Sequence, residues 1–205
     1  MPSSAVTEGE SQTRQDEIVE AAIPVFLRFG YKKASMDAVA AAANLSRQAV
    51  YLHFSNKETL FGAVVDSLGQ ATRQTAHVAL WREGLTLDQQ LLAAFDETMP
   101  HESLELLSEL LSTARELFPE SVADIDAFVV QEVTARLQDA LGRRRWPVPG
   151  VTLGQAADVL QATSYGIKEQ TGSRTEYLQG MQSAIVLVLA AGGLMPSTSH
   201  PRSTK

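Results

Sequence analysis

The sequence predicts an all-α protein, and three observations carry this prediction. Apolar residues recur with a helical period through most of the chain, and no segment alternates apolar and polar residues as a half-buried strand does. Glycine and proline residues separate the periodic segments. Capping boxes, in which a hydroxyl and a side chain three residues later satisfy free amides, are indicated at Ser55–Glu58, Thr86–Gln89, Thr152–Gln155 and Ser173–Glu176. These signals predict about nine helices, near residues 12–29, 35–42, 46–53, 56–82, 86–98, 102–117, 120–142, 152–170 and 174–193.

The lengths of these helices predict two domains. Two short helices follow the first one, and helices of two turns are stable only when tertiary packing holds them. Residues 12–58 are therefore predicted to form a compact N-terminal three-helix domain, and residues 59–195 a larger C-terminal helical domain. Residues 1–11 and 196–205 are polar and lack periodicity, so we expect disordered tails there.

Composition excludes several classes of protein. The 205 residues contain no cysteine, which excludes disulfides, iron–sulfur clusters, thiolate zinc sites and cysteine nucleophiles. With only four histidines, no metal site is predicted. The sequence has no glycine-rich phosphate loop and no Ser/His/Asp set in a recognisable context, so neither an enzyme nor a cofactor is predicted.

Charge and hydropathy bear on partners and location. The formal net charge is −7, which excludes a uniformly basic nucleic-acid coat but not a local basic patch. No apolar core precedes Arg14, so we expect no secretory signal. The longest apolar run, at residues 184–195, is shorter than the ~20 residues that cross a bilayer. We therefore expect a cytoplasmic protein with no membrane partner.

The segment 35–54 has the pattern of a helix-turn-helix. Ser35 can cap a first helix, whose apolar positions fall on one face. Asn44 then stands where the chain must turn, and asparagine tolerates the left-handed conformation that such a turn needs. Ser46 can cap a second helix over residues 46–53, in which Ala49 and Val50 point inward. Two short helices joined at an asparagine also occur in proteins that do not touch DNA.

The outward residues of this segment suit DNA. Arg47 can donate two hydrogen bonds to a guanine edge, and Gln48 can pair with adenine. Residues 31–60 hold four basic and two acidic residues, a net charge of +2, whereas residues 61–205 carry −6. Phosphate contacts are predicted for Ser35, Tyr51, His53 and Lys57, supported by the free amides at the helix starts.

Over residues 14–65 the chain resembles the TetR family of transcriptional regulators. The family usually has glycine at the turn, where this chain has Asn44, and both residues accept the left-handed conformation. The resemblance rests on Ala22, Phe26, Gly30, Ser35, Val39, Ala40, Asn44, Leu45, Ser46, Tyr51, His53, Phe54, Lys57, Glu58 and Leu60, which agree with the family in spacing and, Asn44 apart, in residue type.

The resemblance implies a role for each matching position. Base edges are expected at Ser46, Arg47, Gln48 and Val50 or Tyr51, and phosphates at Ser35, Tyr51, His53 and Lys57. The core of the small domain is expected to include Phe26, Val39, Ala40, Leu45, Val50, Phe54 and Leu60.

The last two helices are predicted to form a dimer interface. The run 184–191 is apolar on all sides, so the helix that contains it must be covered on all sides. The resemblance implies that these two helices pair with their copies in a four-helix arrangement; the alternative is a helix buried within one subunit. The predicted interface residues are Ala157, Leu160, Tyr165, Tyr177, Met181, Ile185 and Val188.

The middle of the chain carries a weaker signal. The resemblance implies an effector pocket in this region, although aromatic residues at helical spacing are usually plain core. The predicted lining is Trp81, Phe95, Met99, Leu106, Leu110, Phe118 and Phe128. The function expected from the whole is a homodimeric repressor that binds a palindromic operator and is released by a small, largely apolar effector. The alternative is a DNA-bound adaptor whose larger domain binds a protein.

Overall fold

The computed structural model describes residues 4–99 and 104–194, together with the side chains of residues 11–99 and 107–194. The described residues form nine helices and no strand, which confirms the predicted all-α class and the order of its elements. The helices are α1 (Ser4–Lys33), α2 (Met36–Ala42), α3 (Arg47–His53), α4 (Lys57–Leu80), α5 (Leu87–Glu97), α6 (Leu104–Leu117), α7 (Pro119–Leu141), α8 (Leu153–Gln170) and α9 (Arg174–Ala191).

Helix α1 begins earlier than predicted. Residues 4–11, expected in a disordered tail, belong to the helix. Side-chain pairs one turn apart support its exposed start, with Arg14 bonded to Glu17 at 2.6 Å. The tail predictions for residues 1–3 and 196–205 lie outside the described residues. At the other end, Gly30 adopts φ 71° and kinks the helix, in agreement with the predicted break.

The capping predictions hold in part. The box at Thr152–Gln155 is confirmed, because each residue bonds to the other's backbone N–H, at 2.8 and 3.1 Å. The box predicted at Ser55–Glu58 is wrong by one residue. The Oδ1 atom of Asn56 accepts from the Thr59 N–H at 2.8 Å, and the Thr59 hydroxyl accepts from the Asn56 N–H at 3.3 Å. Only Ser55–Glu58 matches the sequence pattern, which requires Glu or Gln at the second position, so the pattern could not have found the pair that forms.

One compact unit comprises Met1–Ala71 and Pro100–Asp124. Its core contains the residues predicted for the small domain: Phe26, Val39, Ala40, Val50, Phe54 and Leu60 are buried, and Leu45 is partly buried against them. Helix α6 packs on α1 and adds Leu110 and Ala114 to this core. The predicted domain boundary after residue 58 stays a prediction; the compact unit includes α6 because α6 covers α1.

The second compact unit comprises Thr72–Met99 and Ile125–Lys205. Within it, α9 packs against both α5 and α8. Its buried residues include a polar pair, in which the Ser164 hydroxyl lies 2.9 Å from the Tyr177 hydroxyl. The Tyr177 hydroxyl donates to the Phe95 carbonyl at 3.3 Å. The pair therefore links α8, α9 and α5 through groups that water does not reach.

Burial raises the pKa of Tyr177 to about 12, and this shift predicts an alkaline instability. The fold favours the neutral phenol, so its contribution is complete below pH 10 and is lost as the pH rises through 12. Near neutral pH, Tyr177→Phe is expected to lower the free energy of unfolding by about 1 kcal/mol, because two hydrogen bonds disappear. Between pH 10 and 12 the wild type loses about 1–3 kcal/mol relative to the variant.

Urea unfolding at pH 8 and near pH 11.5 measures this difference. We expect the advantage of the wild type to shrink or reverse at the higher pH. A difference that stays constant with pH would contradict the buried neutral phenol. Tyr165→Phe serves as the matched control, because the Tyr165 side chain is only partly buried and its hydroxyl bonds to the Asp126 carboxylate.

Candidate nucleic-acid interface

The turn between α2 and α3 has a defined hydrogen-bond pattern. Asn44 adopts φ 53°, so the predicted left-handed conformation is confirmed. The Leu45 N–H donates to the Ala40 carbonyl at 2.9 Å, and the Asn44 N–H donates to the Ala41 carbonyl at 3.2 Å. These two bonds are those of a Schellman motif, which satisfies the free carbonyls at the end of α2. The turn therefore fixes where α3 begins.

Two serines cap the helices of this motif. The Ser35 hydroxyl accepts from the Ala38 N–H at 3.2 Å, and the Ser46 hydroxyl accepts from the Ala49 N–H at 3.1 Å. Both serines are exposed. Because each hydroxyl uses only a lone pair for its cap, its proton can still be donated to another group. The phosphate contact of Ser35 stays a prediction.

Val50 is the one predicted DNA contact that the structure contradicts. Its side chain is 0% exposed and belongs to the core around α1 and α4, so its base-edge assignment is wrong and its core assignment is confirmed. Each helical residue is rotated by about 100° from the one before. With Val50 facing inward, Gln48 lies about 160° round the helix from it, and Arg47 and Tyr51 lie on the flank at about 60° and 100°. All three side chains are exposed.

Arg47 forms an ion pair across the motif. Its Nη1 atom lies 3.1 Å from Oδ2 of Asp37, and its Nη2 donates to the Tyr51 hydroxyl at 3.5 Å. The Tyr51 hydrogen bond and the Asp37 carboxylate raise the pKa of Arg47 above its usual value. The Arg47 and Asp37 side chains are 61% and 62% exposed, and an ion pair so exposed contributes little to stability because solvent screens it. A bidentate contact to guanine is worth about 1–3 kcal/mol, so Arg47 can exchange one partner for the other.

Lys57 has a structural role that the sequence pattern did not indicate. Its ammonium donates to the carbonyls of Tyr31 at 2.8 Å, Ala34 at 3.2 Å and Lys32 at 3.4 Å, and lies 4.4 Å from the Tyr31 ring centroid. An ammonium has three donors, and all three are engaged. Lys57 therefore ties the first residue of α4 to the end of α1. Its predicted phosphate contact would have to replace one of these bonds.

We expect Lys57→Met to lower the free energy of unfolding by about 1–3 kcal/mol, since carbonyls lose a charged donor while the apolar stem is kept. Lys33→Met is the matched control, because Lys33 is an exposed lysine at the end of α1, beside the carbonyls that Lys57 contacts. Urea unfolding of both variants measures the difference. Equal stability of the two would contradict the capping role of Lys57.

The remaining positions of α3 differ in exposure. His53, at the last turn, is partly buried, whereas Leu52 beside it is 79% exposed. Leu52 was not among the predicted contacts. The helical period could have found it, because Leu52 lies about 160° around the helix from the buried Val50.

The predicted effector-pocket residues are divided between the two units. Leu110 is buried in the core of the first unit, and Phe118 packs against that core over Gly62. These two residues therefore belong to the core of the first unit. Phe95 and Met99 are buried in the second unit, where Phe128 is partly buried beneath Arg73. Trp81 is exposed, and its Nε1 donates to Glu132 at 3.3 Å. The side chain of Leu106 lies outside the described residues.

The predicted dimer residues are mostly buried within one chain. Tyr165 and Val188 are partly buried. The apolar residues of α9 surround the helix axis, so the sequence did not reveal which side of the helix packs against its own chain. The assignments that burial contradicts are those of Ala157, Leu160, Tyr177, Met181 and Ile185, each of which is at most 1% exposed. The apolar residues that α8 and α9 leave open are instead Val159, 54% exposed, and Leu187, 71% exposed.

Among the residues that the structure describes, no three His, Asp or Glu side chains lie close enough together to hold a metal ion. Within the same part of the chain, every helix is too short or too polar to cross a membrane.

Comparison with known proteins agrees with this geometry. The model of the family described as bacterial regulatory proteins, tetR family, matches residues 18–64, which hold most of α1, the helix-turn-helix and the start of α4. The HTH-type transcriptional repressor Rv1474c of Mycobacterium tuberculosis is 31% identical over 156 residues, which are 72% of this chain and 78% of that protein. The uncharacterized HTH-type transcriptional regulator YhgD of Bacillus subtilis is 31% identical over 131 residues. That match covers 62% of this chain and 63% of YhgD, less than two thirds of its length.

A solved structure extends the likeness to the fold. A putative TetR-family transcriptional regulator from Mesorhizobium loti superposes with a TM-score of 0.68 over 88% of this chain and 96% of that one, at 23% identity. The likeness of fold thus extends beyond the helix-turn-helix to most of both chains. Because the family model spans the capped α2–turn–α3 motif and a relative matches over most of its own length, this chain belongs to the TetR family of bacterial transcriptional regulators.

Proposed function

We propose that this chain is a homodimeric repressor that binds a palindromic operator through α3 and leaves it when a small, largely apolar effector binds. The observation that carries the proposal is the exposure of Arg47 and Gln48 on a helix that Val50 anchors in the core. The name of the Mycobacterium tuberculosis relative, a transcriptional repressor, supports negative control.

DNA recognition would divide the exposed groups by their chemistry. Gln48 offers an amide to adenine, and Arg47 exchanges the Asp37 carboxylate for a guanine edge. The hydroxyls of Ser35 and Tyr51 and the imidazole of His53 suit phosphate oxygens, which position the protein without reading sequence. The exposed Lys32 and Lys33 add positive charge beside Ser35.

Dimerisation through α8 and α9 is supported by their open apolar side chains. Val159 and Leu187 are both more than half exposed, and the exposed Ala162 and Ala191 beside them would allow a close approach of helices. A two-fold axis through this face would present two copies of α3. Their half-sites would lie about 34 Å apart, or a multiple of that distance.

Effector release is supported by the make-up of the second unit. Small-molecule sites in helical proteins are largely apolar with a few polar groups that fix orientation. The side chains of Phe95 and Met99 are buried in this unit, together with the hydroxyls of Ser164 and Tyr177. An effector would act only if it bound the released form better than the form on the operator.

Selection of bound fragments from the source genome tests the function. The purified full chain is compared with the double variant Arg47→Ala/Tyr51→Ala at near-physiological salt, and a palindrome recovered by the wild type alone is expected. Genes beside the recovered sites would then guide the choice of effectors to test for release. No enrichment over the double variant would contradict the DNA-reading role. A partner protein retained by the larger domain would then favour an adaptor.

A further inference from the structure

Leu52 is the most exposed large apolar side chain of the described residues, at 79%. It lies on α3, where the buried Val50 defines the inward direction. With about 100° of rotation per residue, Gln48 and Leu52 each lie within about 20° of the direction opposite Val50. Arg47 and Tyr51 lie further round the helix, on the flank that carries the ion pair to Asp37. Leu52 and Gln48 thus form the outermost ridge of the helix.

An exposed leucine on most surfaces requires no explanation, but this surface is otherwise polar. The neighbours of Leu52 on α3 are a guanidinium, an amide and a phenol, which all suit the edges and phosphates of DNA. A major groove offers an apolar partner at one place only, the C5-methyl group of thymine. A leucine on the outermost ridge of a reading helix therefore matches that methyl group in chemistry.

We propose that Leu52 is a specificity-determining residue that reads a thymine methyl group in each operator half-site. This inference rests on the proposed function and adds a contact that the polar residues cannot make. Gln48 and Leu52 are four residues apart, or about 6 Å along the helix axis. Successive base pairs rise by about 3.4 Å, so the thymine lies one or two base pairs from the adenine that Gln48 reads.

The test removes the methyl group from the DNA and the leucine from the protein. Each thymine of one operator half-site is replaced in turn by deoxyuridine, which keeps every hydrogen-bonding group and lacks only the methyl. We expect the wild type to lose about fourfold in affinity at one position of the half-site, the factor that corresponds to one buried methyl-sized group. Leu52→Ala should bind the unmodified operator more weakly and should be insensitive to deoxyuridine at that position.

Controls separate this contact from general weakening. Val78→Ala shortens another exposed apolar side chain, 48% exposed on α4, and should keep the wild-type response to deoxyuridine. Urea unfolding should show that Leu52→Ala leaves stability unchanged, as expected for so exposed a side chain. Equal loss by the wild type and Leu52→Ala at every thymine would overturn the inference, since another residue would then read the methyl group.

Failure of the inference can be distinguished from failure of the proposed function. Selective operator binding by the wild type, with no thymine sensitive to deoxyuridine, would overturn the role of Leu52 and leave the DNA-reading function intact. If the wild type binds no sequence better than the double variant Arg47→Ala/Tyr51→Ala does, the proposed function and this contact fail together.

Discussion

Replacing Arg47 by alanine is expected to lower operator affinity by about 30-fold or more, while binding to unrelated DNA falls far less. A bidentate contact to guanine discriminates by about 1–3 kcal/mol, and a dimer loses two such contacts. The Asp37 pair that holds Arg47 in the free protein contributes less than this, because both side chains are about 60% exposed. Gel-shift titration of operator and non-operator duplexes measures both affinities.

Two further variants identify the cause of that loss. Arg47→Lys keeps the charge but not the planar fork, so it should retain the salt dependence of binding and lose preference at the guanine position. Asp37→Asn removes the competing carboxylate beside Arg47 and should raise affinity for all duplexes, with the sequence preference unchanged. An unchanged base preference in Arg47→Ala would show that Arg47 does not read bases.

The exposure of Arg47 makes these variants informative. Its side chain contacts Asp37 and Tyr51 at the surface and does not enter the core, so truncation should leave the fold intact. By contrast, a change at Val50 would disturb the packing of α3 and confuse reading with folding. Thermal unfolding of Arg47→Ala should therefore resemble that of the wild type.

The local features of the fold could be predicted because they depend on neighbours in sequence. Periodicity located the described helices, and the preference of asparagine for the left-handed region located the turn at Asn44. The start of α4 shows the limit of such reasoning. Ser55–Glu58 fits the capping-box pattern, yet the reciprocal bonds form between Asn56 and Thr59, a pair that the pattern does not include.

The features that could not be predicted depend on tertiary packing. Lys57 bonds to carbonyls that lie 23 to 26 residues earlier in the chain, which no local pattern encodes. Helix α9 illustrates a different problem. Its apolar residues surround the axis, so composition indicated burial without telling Ile185, which its own chain covers, from Leu187, which it leaves exposed.

The second large effect is expected at the exposed Leu187. Leu187→Arg is expected to convert the proposed dimer to a monomer and to lower operator affinity by about 100-fold or more. In a two-fold interface each substitution occurs twice, so two unpaired charges would be brought into an apolar contact. Burying one unpaired charge costs several kcal/mol. A monomer also keeps one reading helix, and so loses the second half-site.

The exposure of Leu187 makes the variant a clean test of assembly. Because the side chain is 71% exposed in the single chain, arginine at this position can extend into solvent without disturbing the core around Ile185 and Leu189. Helicity should therefore be unchanged, while sedimentation should give half the wild-type mass. Val159→Arg on α8 should behave in the same way, and Val78→Arg on α4 should remain dimeric, since its position lies on neither helix. A dimeric Leu187→Arg with full operator affinity would place the assembly surface elsewhere on the chain.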